Sequence, residues 1–165
     1  MILSSEEMSI LENLVGRKAE KILVPVPKDS ATKPVETVLV LNKNKGVLID
    51  SCYRPQHAIE TPHGYPQMRV RLINRIPEYP NGEVIEFSNT GEIVRTIEVT
   101  TEQIVSPKDR VHYAKSVHLK LTGKREVTIT RETYRSPVLS IYEECPNSPL
   151  ECESNAKVIH TVHTF

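Results

Sequence analysis

Between Cys52 and Gln67 the chain reads CYRPQHAIETPHGYPQ: a thiol, two imidazoles, two phenols and a guanidinium within sixteen residues, with three prolines among them. Such groups suit metal binding, nucleophilic catalysis or recognition of an anion. For a metal, Cys52, His57 and His63 form C-x4-H-x5-H and leave a coordination position open to water. Cys145, Cys152, His160 and His163 form a second set, C-x6-C-x7-H-x2-H. Structural zinc sites space their ligands C-x2–4-C and H-x3–5-H, and both gaps of the second set fall outside that range. On a strand, His160 and His163 also face opposite ways, because side chains alternate with a period of two. Loop thiols beside a two-faced histidine strand are therefore the plainer expectation, and zinc is kept as an alternative cofactor, with a small zinc-binding protein as the corresponding alternative function.

Nucleophilic catalysis needs a cysteine, a histidine within hydrogen-bond reach and a group that orients the ring. Cys52 with His57 or His63, and Asp50 or Glu60 behind it, supplies the residue types. No G-x-S-x-G, H-E-x-x-H, P-loop or G-x-G-x-x-G sequence accompanies them. His112 and His118 offer acid–base chemistry instead. An even spacing places them on one face of a continuous strand with Ser116 and Lys120, while Lys115, Lys124 and Arg125 stand ready to grip a phosphate. That pattern defines an alternative function, a nucleic-acid binder or nuclease built on the basic block 108–135. Against it, a half-buried sheet ordinarily shows histidine and lysine on its solvent face.

Arg69, Arg71 and Arg75 carry the most weight. On one face of a strand directly after the histidine-rich loop, they suit bidentate contacts to phosphate or carboxylate. Tyr53, Arg54, His57, His63 and Tyr65 from the loop complete the candidate ligand-binding set. The competing expectation pairs these arginines with Glu83, Glu86 or Glu98 across the sheet, since the acidic block follows at once.

The elements that must position these groups are legible in outline. Ser4 and Glu7 form a capping box, Met8, Leu11 and Val15 with Ile10 and Leu14 make an apolar face, and Gly16 is placed to end the helix, so a helix is expected over about 5–15. Strands follow. KILV is stopped by Pro25 and Pro27, which suit an edge or a terminal position. VETVLVLNKNKGVLIDS reads as a hairpin around NKNKG, with a central strand at 38–41. QMRVRLINR alternates, with Met68, Val70 and Leu72 on the face opposite the arginines. EVIEFSNTGEIVRTIEVTTEQIV reads as a second hairpin with SNTG at its tip. HYAKSVHLKLTGKREVTITRETY reads as a third, in which Val117, Leu119 and Leu121 answer Val127 and Ile129. PVLSIYEE and KVIHTVHTF supply two last strands.

About nine strands with turns every 8–12 residues imply a mainly β fold: an antiparallel sandwich or barrel with one N-terminal helix, in a single domain over 1–165 whose β-rich body begins near residue 20. The order MRVRLINRIPEYPNGEVIEFSNTGEIVRTIEVTTEQIV, a basic strand, a proline-bearing turn, NGEVIEF and a tight hairpin, resembles SH3-like barrels over some 38 residues. The resemblance implies an alternative fold, an SH3-like barrel within an α+β domain, and no functional residues.

Totals narrow the function. The 165 residues carry 21 basic and 21 acidic side chains and no tryptophan, which lacks the basic bias of a general nucleic-acid binder. The neutral sum is uneven: 106–135 holds 8 basic against 3 acidic residues, and 76–105 holds 1 against 6. Such blocks steer partners and complement one another across a two-fold axis, so a homodimer is among the expected partners. No apolar run approaches the ~20 residues of a membrane span, and the N-terminal segment lacks a basic region before its apolar residues. With three cysteines, the expected location is the cytoplasm, with no membrane partner. The sum of these readings is a non-catalytic binding or interaction module, without a cofactor, that presents the 52–67 loop and the arginine face to a protein or an anionic small ligand.

Overall fold

The fold is given by a computed structural model, which describes residues 3–25, 35–53, 65–88, 90–105, 107, 110–143 and 157–165. Its one helix among these residues, α1 (Ser5–Glu12), starts as the capping box requires. Ser4 Oγ accepts from Glu7 N at 3.2 Å, and Glu7 Oε2 accepts from Ser4 N at 2.7 Å. The helix is shorter than expected. From Asn13 the chain tightens into turns, with Leu14 N on Leu11 O and Val15 N on Glu12 O, and Gly16 takes φ 82°. Its left-handed turn is one that glycine enters without a Cβ clash, and it lets Gly16 N donate to Val94 O at 2.8 Å. Leu11 and Leu14 enter the core, with Met8, Ile10 and Val15 packed beside them.

Eleven strands follow among the described residues: β1 (Lys18–Ala19), β2 (Lys21–Val24), β3 (Glu36–Asn42), β4 (Lys45–Tyr53), β5 (Pro66–Ile73), β6 (Glu83–Glu86), β7 (Glu92–Val105), β8 (Arg110–Leu121), β9 (Glu126–Arg131), β10 (Leu139–Tyr142) and β11 (Lys157–Thr164). They form two antiparallel sheets, one in the order β5-β4-β3-β2-β6, the other β7-β8-β9-β10 with β1 and β11 both pairing with β7. The protein is thus mainly β with one N-terminal helix, consistent with a sandwich or barrel. One apolar cluster draws on α1 and both sheets, from Ile22, Leu39, Val47, Ile49, Met68 and Val70 to Ile97, Val99, Val117, Leu119, Val127 and Ile129. A smaller cluster lies on the outer face of the first sheet, where Val38, Val40 and Leu48 are covered by Ile73, Ile76 and Tyr79. Apolar residues on both faces of β3 thus fit its central position. No helix of the described residues is long and apolar enough to cross a membrane.

Several local expectations hold. Pro25 takes the terminal position, directly after β2, where its missing N–H interrupts no pairing; the edge alternative is not met, since β2 pairs with β3 on one side and β6 on the other. At the β3–β4 turn, Asn42 Oδ1 accepts from the backbone of Asn44 and Lys45. Val117 opposes Ile129 and Leu119 opposes Val127, as the alternation dictates. Three expectations are corrected. β6 pairs with β2 in one sheet while β7 lies in the other, so the two strands that flank SNTG make no hairpin. For the same reason the segment that resembles an SH3-like barrel does not close on itself: β5 and β6 occupy opposite edges of one sheet. Leu72 shares a strand face with Met68 and Val70 but is exposed, although Val47 opposite it is buried in the core.

Candidate functional site

The arginine face is set by the β4–β5 register. Val47 and Ile49 of β4, like Met68 and Val70 of β5, point into the core, so Leu48, Asp50, Arg69 and Arg71 point outward. Asp50 stands opposite Arg69 and Leu48 opposite Arg71. Arg69 donates through Nε to Asp50 Oδ1 at 2.8 Å and through Nη2 to Oδ2 at 2.7 Å, while Arg71 Nη2 donates to the same Oδ2 at 2.8 Å. Two cations therefore share one carboxylate. Asp50 is nearly enclosed, whereas the Arg71 side chain is 46% exposed. The hydrogen bond to Asp50, opposed by partial burial, holds the Arg69 guanidinium in its charged form more firmly than an ordinary arginine.

A second carboxylate borders this group. Glu36 of β3 lies opposite Asp50 and accepts from Tyr79 Oη at 2.8 Å. Burial, and then this hydrogen bond, push the Tyr79 phenol above its usual range. Gln67, opposite Cys52, is 3% exposed, and its Oε1 has no hydrogen-bond partner among the described residues.

The candidate set is only partly brought together. Arg69 and Arg71 are adjacent. Arg75 falls two residues past the end of β5 and is exposed, so strand alternation does not align it with them. Tyr65 packs edge-on against Tyr134, ring centroids 4.9 Å apart. Tyr53 ends β4 opposite Pro66. Arg54, His57 and His63 lie outside the described residues. The expected pairing with Glu83, Glu86 or Glu98 is replaced by Asp50. Glu83 and Glu86 sit on β6, four strands from β5 and so about 19 Å away at the usual strand spacing, and Glu98 belongs to the other sheet. The antiparallel return of β5 beside β4 was the signal for Asp50, but it requires the register to be known.

The histidine reading of β8 is also corrected. Thr100 pairs with Ser116 and Thr101 with Ala114, so Lys115 is an extra residue in the ladder. A bulge of this kind reverses the side-chain alternation beyond it. His118 consequently shares a face with Glu98, while His112 is turned to the opposite face, toward Thr101 Oγ1 at 3.4 Å. His118 is 7% exposed, with Nδ1 3.3 Å from Glu98 Oε2 and Nε2 2.8 Å from Glu126 Oε2. A neutral ring donates through one nitrogen, and only an imidazolium donates to both carboxylates. Lys120 Nζ also donates to Glu98 at 2.8 Å, and this bond first, with the His118 contact behind it, holds the Glu98 carboxyl below the usual range.

Much of the basic block is engaged inside the protein. Lys115 Nζ donates to Glu132 O, and Arg125 lies over the Phe87 ring and donates to Glu86 O. Arg131 is fully buried, stacks on Tyr113 and donates to the carbonyls of Tyr134 and Ser136. Tyr113 in turn donates to Glu102, whose Oε1 lies 3.4 Å from His160 Nδ1. Sequence reasoning missed this chain of contacts; a lone arginine closing an apolar strand was its one sign.

For metals, no group of three or more His, Cys, Asp or Glu among the described residues is arranged to hold an ion. Cys145, Cys152, His57 and His63 lie outside those residues, so neither candidate set is described in full. His160 and His163 oppose Glu102 and Val99 and so face opposite ways on β11. Comparison with family models, with curated proteins and with solved structures returned no match, so the arginine–aspartate group rests on its own geometry.

Proposed function

We propose that the protein is a non-catalytic binding module that takes an anionic group, a carboxylate or phosphate of a protein or small ligand, on the outer face of β5. The observation that carries this reading is the sharing of the Asp50 carboxylate by Arg69 and Arg71. Arg69 spends its fork on Asp50. Arg71 touches it through Nη2 alone and keeps a half-exposed planar guanidinium, whose further N–H groups match the oxygens of a second anion. Asp50 thus supports Arg71, and pre-organised donors lose less freedom on binding. Glu36 limits the excess positive charge of the patch, which suits a single anionic group better than a polyanion. The engagement of Lys115, Lys120, Arg125 and Arg131 in internal contacts favours this reading over a nucleic-acid function on the 108–135 block.

The test is titration of the protein at low salt with inorganic phosphate and, separately, with a short glutamate peptide, following the arginine Nε–H resonances by NMR. Arg71 is expected to shift along a saturating curve that Arg71→Glu removes and Arg71→Lys weakens, since a lysine cannot offer a planar fork. An Arg71 resonance that does not move with either anion overturns the reading.

A further inference from the structure

We infer that β11 is the self-association edge of the protein, pairing antiparallel with β11 of a second copy about a two-fold axis at Thr161. This inference is independent of the anion site. Phe165 N donates to Ile97 O at 2.9 Å and Ile97 N to Phe165 O at 3.3 Å, so these residues exchange both backbone bonds. The ladder runs unbroken from there to Lys157 opposite Val105. In an antiparallel pair such exchanging residues alternate with residues whose N–H and C=O point the other way. Ile159, Thr161 and His163 therefore bond to β7. Val158, His160, Val162 and Thr164 turn their backbone groups outward, where no strand among the described residues meets them.

Among the described residues, the other edges are short or partly occupied. On β5, Val70 N donates to the buried Glu7 carboxylate at 3.1 Å. β6 and β10 are four residues each. β11 has eight, with no proline, no register shift, and its one lysine at its first position. It lacks the devices that protect exposed edges. Ile159 and Val162 are 40% and 56% exposed, on opposite faces of the strand.

A second copy suits this edge better than an unrelated strand because β11 complements itself. A two-fold axis normal to the sheet keeps each face on its own side, so opposed residues share parity. Centred on Thr161, it places Val158 opposite Thr164 and His160 opposite Val162, all four with outward backbone groups, for about eight new hydrogen bonds. Ile159 then opposes His163, and Lys157 opposes Phe165, so no two like charges face each other directly. Centred on His160, the pairing sets the two His160 rings against each other. The sheets of the two copies become continuous through the β11 pair, with the cores on the same side.

The experiment is sedimentation equilibrium of the full chain from about 5 to 500 µM, where mass action populates a weak dimer, with amide exchange measured at both ends. The expected result is twice the chain mass at high concentration. Exchange at His160, Val162 and Thr164 should slow about tenfold or more with dimerisation, while Ile159, Thr161 and His163 are protected throughout. Val162→Pro removes an outward N–H and no bond to β7, and Val162→Lys adds an edge charge; both are expected to stay monomeric with the wild-type circular dichroism spectrum. If the proline misfolds, the lysine variant alone decides. A monomer at every concentration, a dimer that survives the substitutions, or outward amides that exchange freely in the dimer would each overturn the inference.

Discussion

Asp50 and Arg69, opposed on β4 and β5, are joined by two parallel hydrogen bonds of 2.8 and 2.7 Å, and the oxygen at the shorter one also receives Arg71. This pair ties β4 to the edge strand β5, and Asp50 also holds Arg71, the more exposed of the two guanidinium groups.

Asp50→Ala therefore removes a nearly enclosed carboxylate and leaves two guanidinium groups without it. Since Arg69 and Arg71 are 34% and 46% exposed and can turn to water, the expected loss is about 1–2 kcal/mol, below the cost of breaking a fully buried pair. Urea unfolding midpoints measure it. Asp50→Asn, which keeps one acceptor, should lose less.

Glu7 performs two tasks with one carboxylate. Oε2 closes the capping box on Ser4 N, and Oε1 takes the outward N–H of Val70. Glu7→Ala leaves a buried N–H of β5 unsatisfied as well as the helix cap broken, for an expected loss of about 2–4 kcal/mol against ~1 for Ser4→Ala. Because Ser4 and Glu7 share one box, the double variant should cost less than the sum of the two, which thermal unfolding of all four proteins checks.

Glu98 carries a pH dependence. Its folded-state carboxyl lies below the usual range, chiefly through the hydrogen bond from Lys120. Above the unfolded carboxyl value of about 4.3 the ionised form favours folding, and this contribution disappears as pH falls through the lower folded-state value. Lys120→Met is thus expected to reduce stability at pH 7 by about 0.5 kcal/mol, discounted because both side chains are partly exposed. At acid pH, as Glu98 takes up its proton in both states, the difference should shrink toward zero. Unfolding curves at the two pH values provide the comparison.

Local elements were largely legible. The Ser4–Glu7 box, the Asn42 turn, the stop at Pro25 and the register of β8 with β9 all follow from neighbours in sequence, where capping, turn chemistry and period-two alternation act over a few residues. The mainly β character of the chain and its N-terminal helix followed from the same signals. Of the candidate site, Arg69 and Arg71 were correctly placed side by side by alternation alone.

Only the tertiary structure decided which elements meet. SNTG has the composition of a hairpin tip, yet β6 pairs with β2 and β7 with β8, so the two strands separate into different sheets. One extra residue at Lys115 turns His112 away from His118, and a bulge leaves no mark in composition. Asp50, not the acidic block that follows the arginines, neutralises Arg69, because β5 folds back along β4 while β6 adds to the far edge. Alternation determines which way a side chain faces along its own strand. The partner it meets there depends on strand order and register, which long-range burial selects.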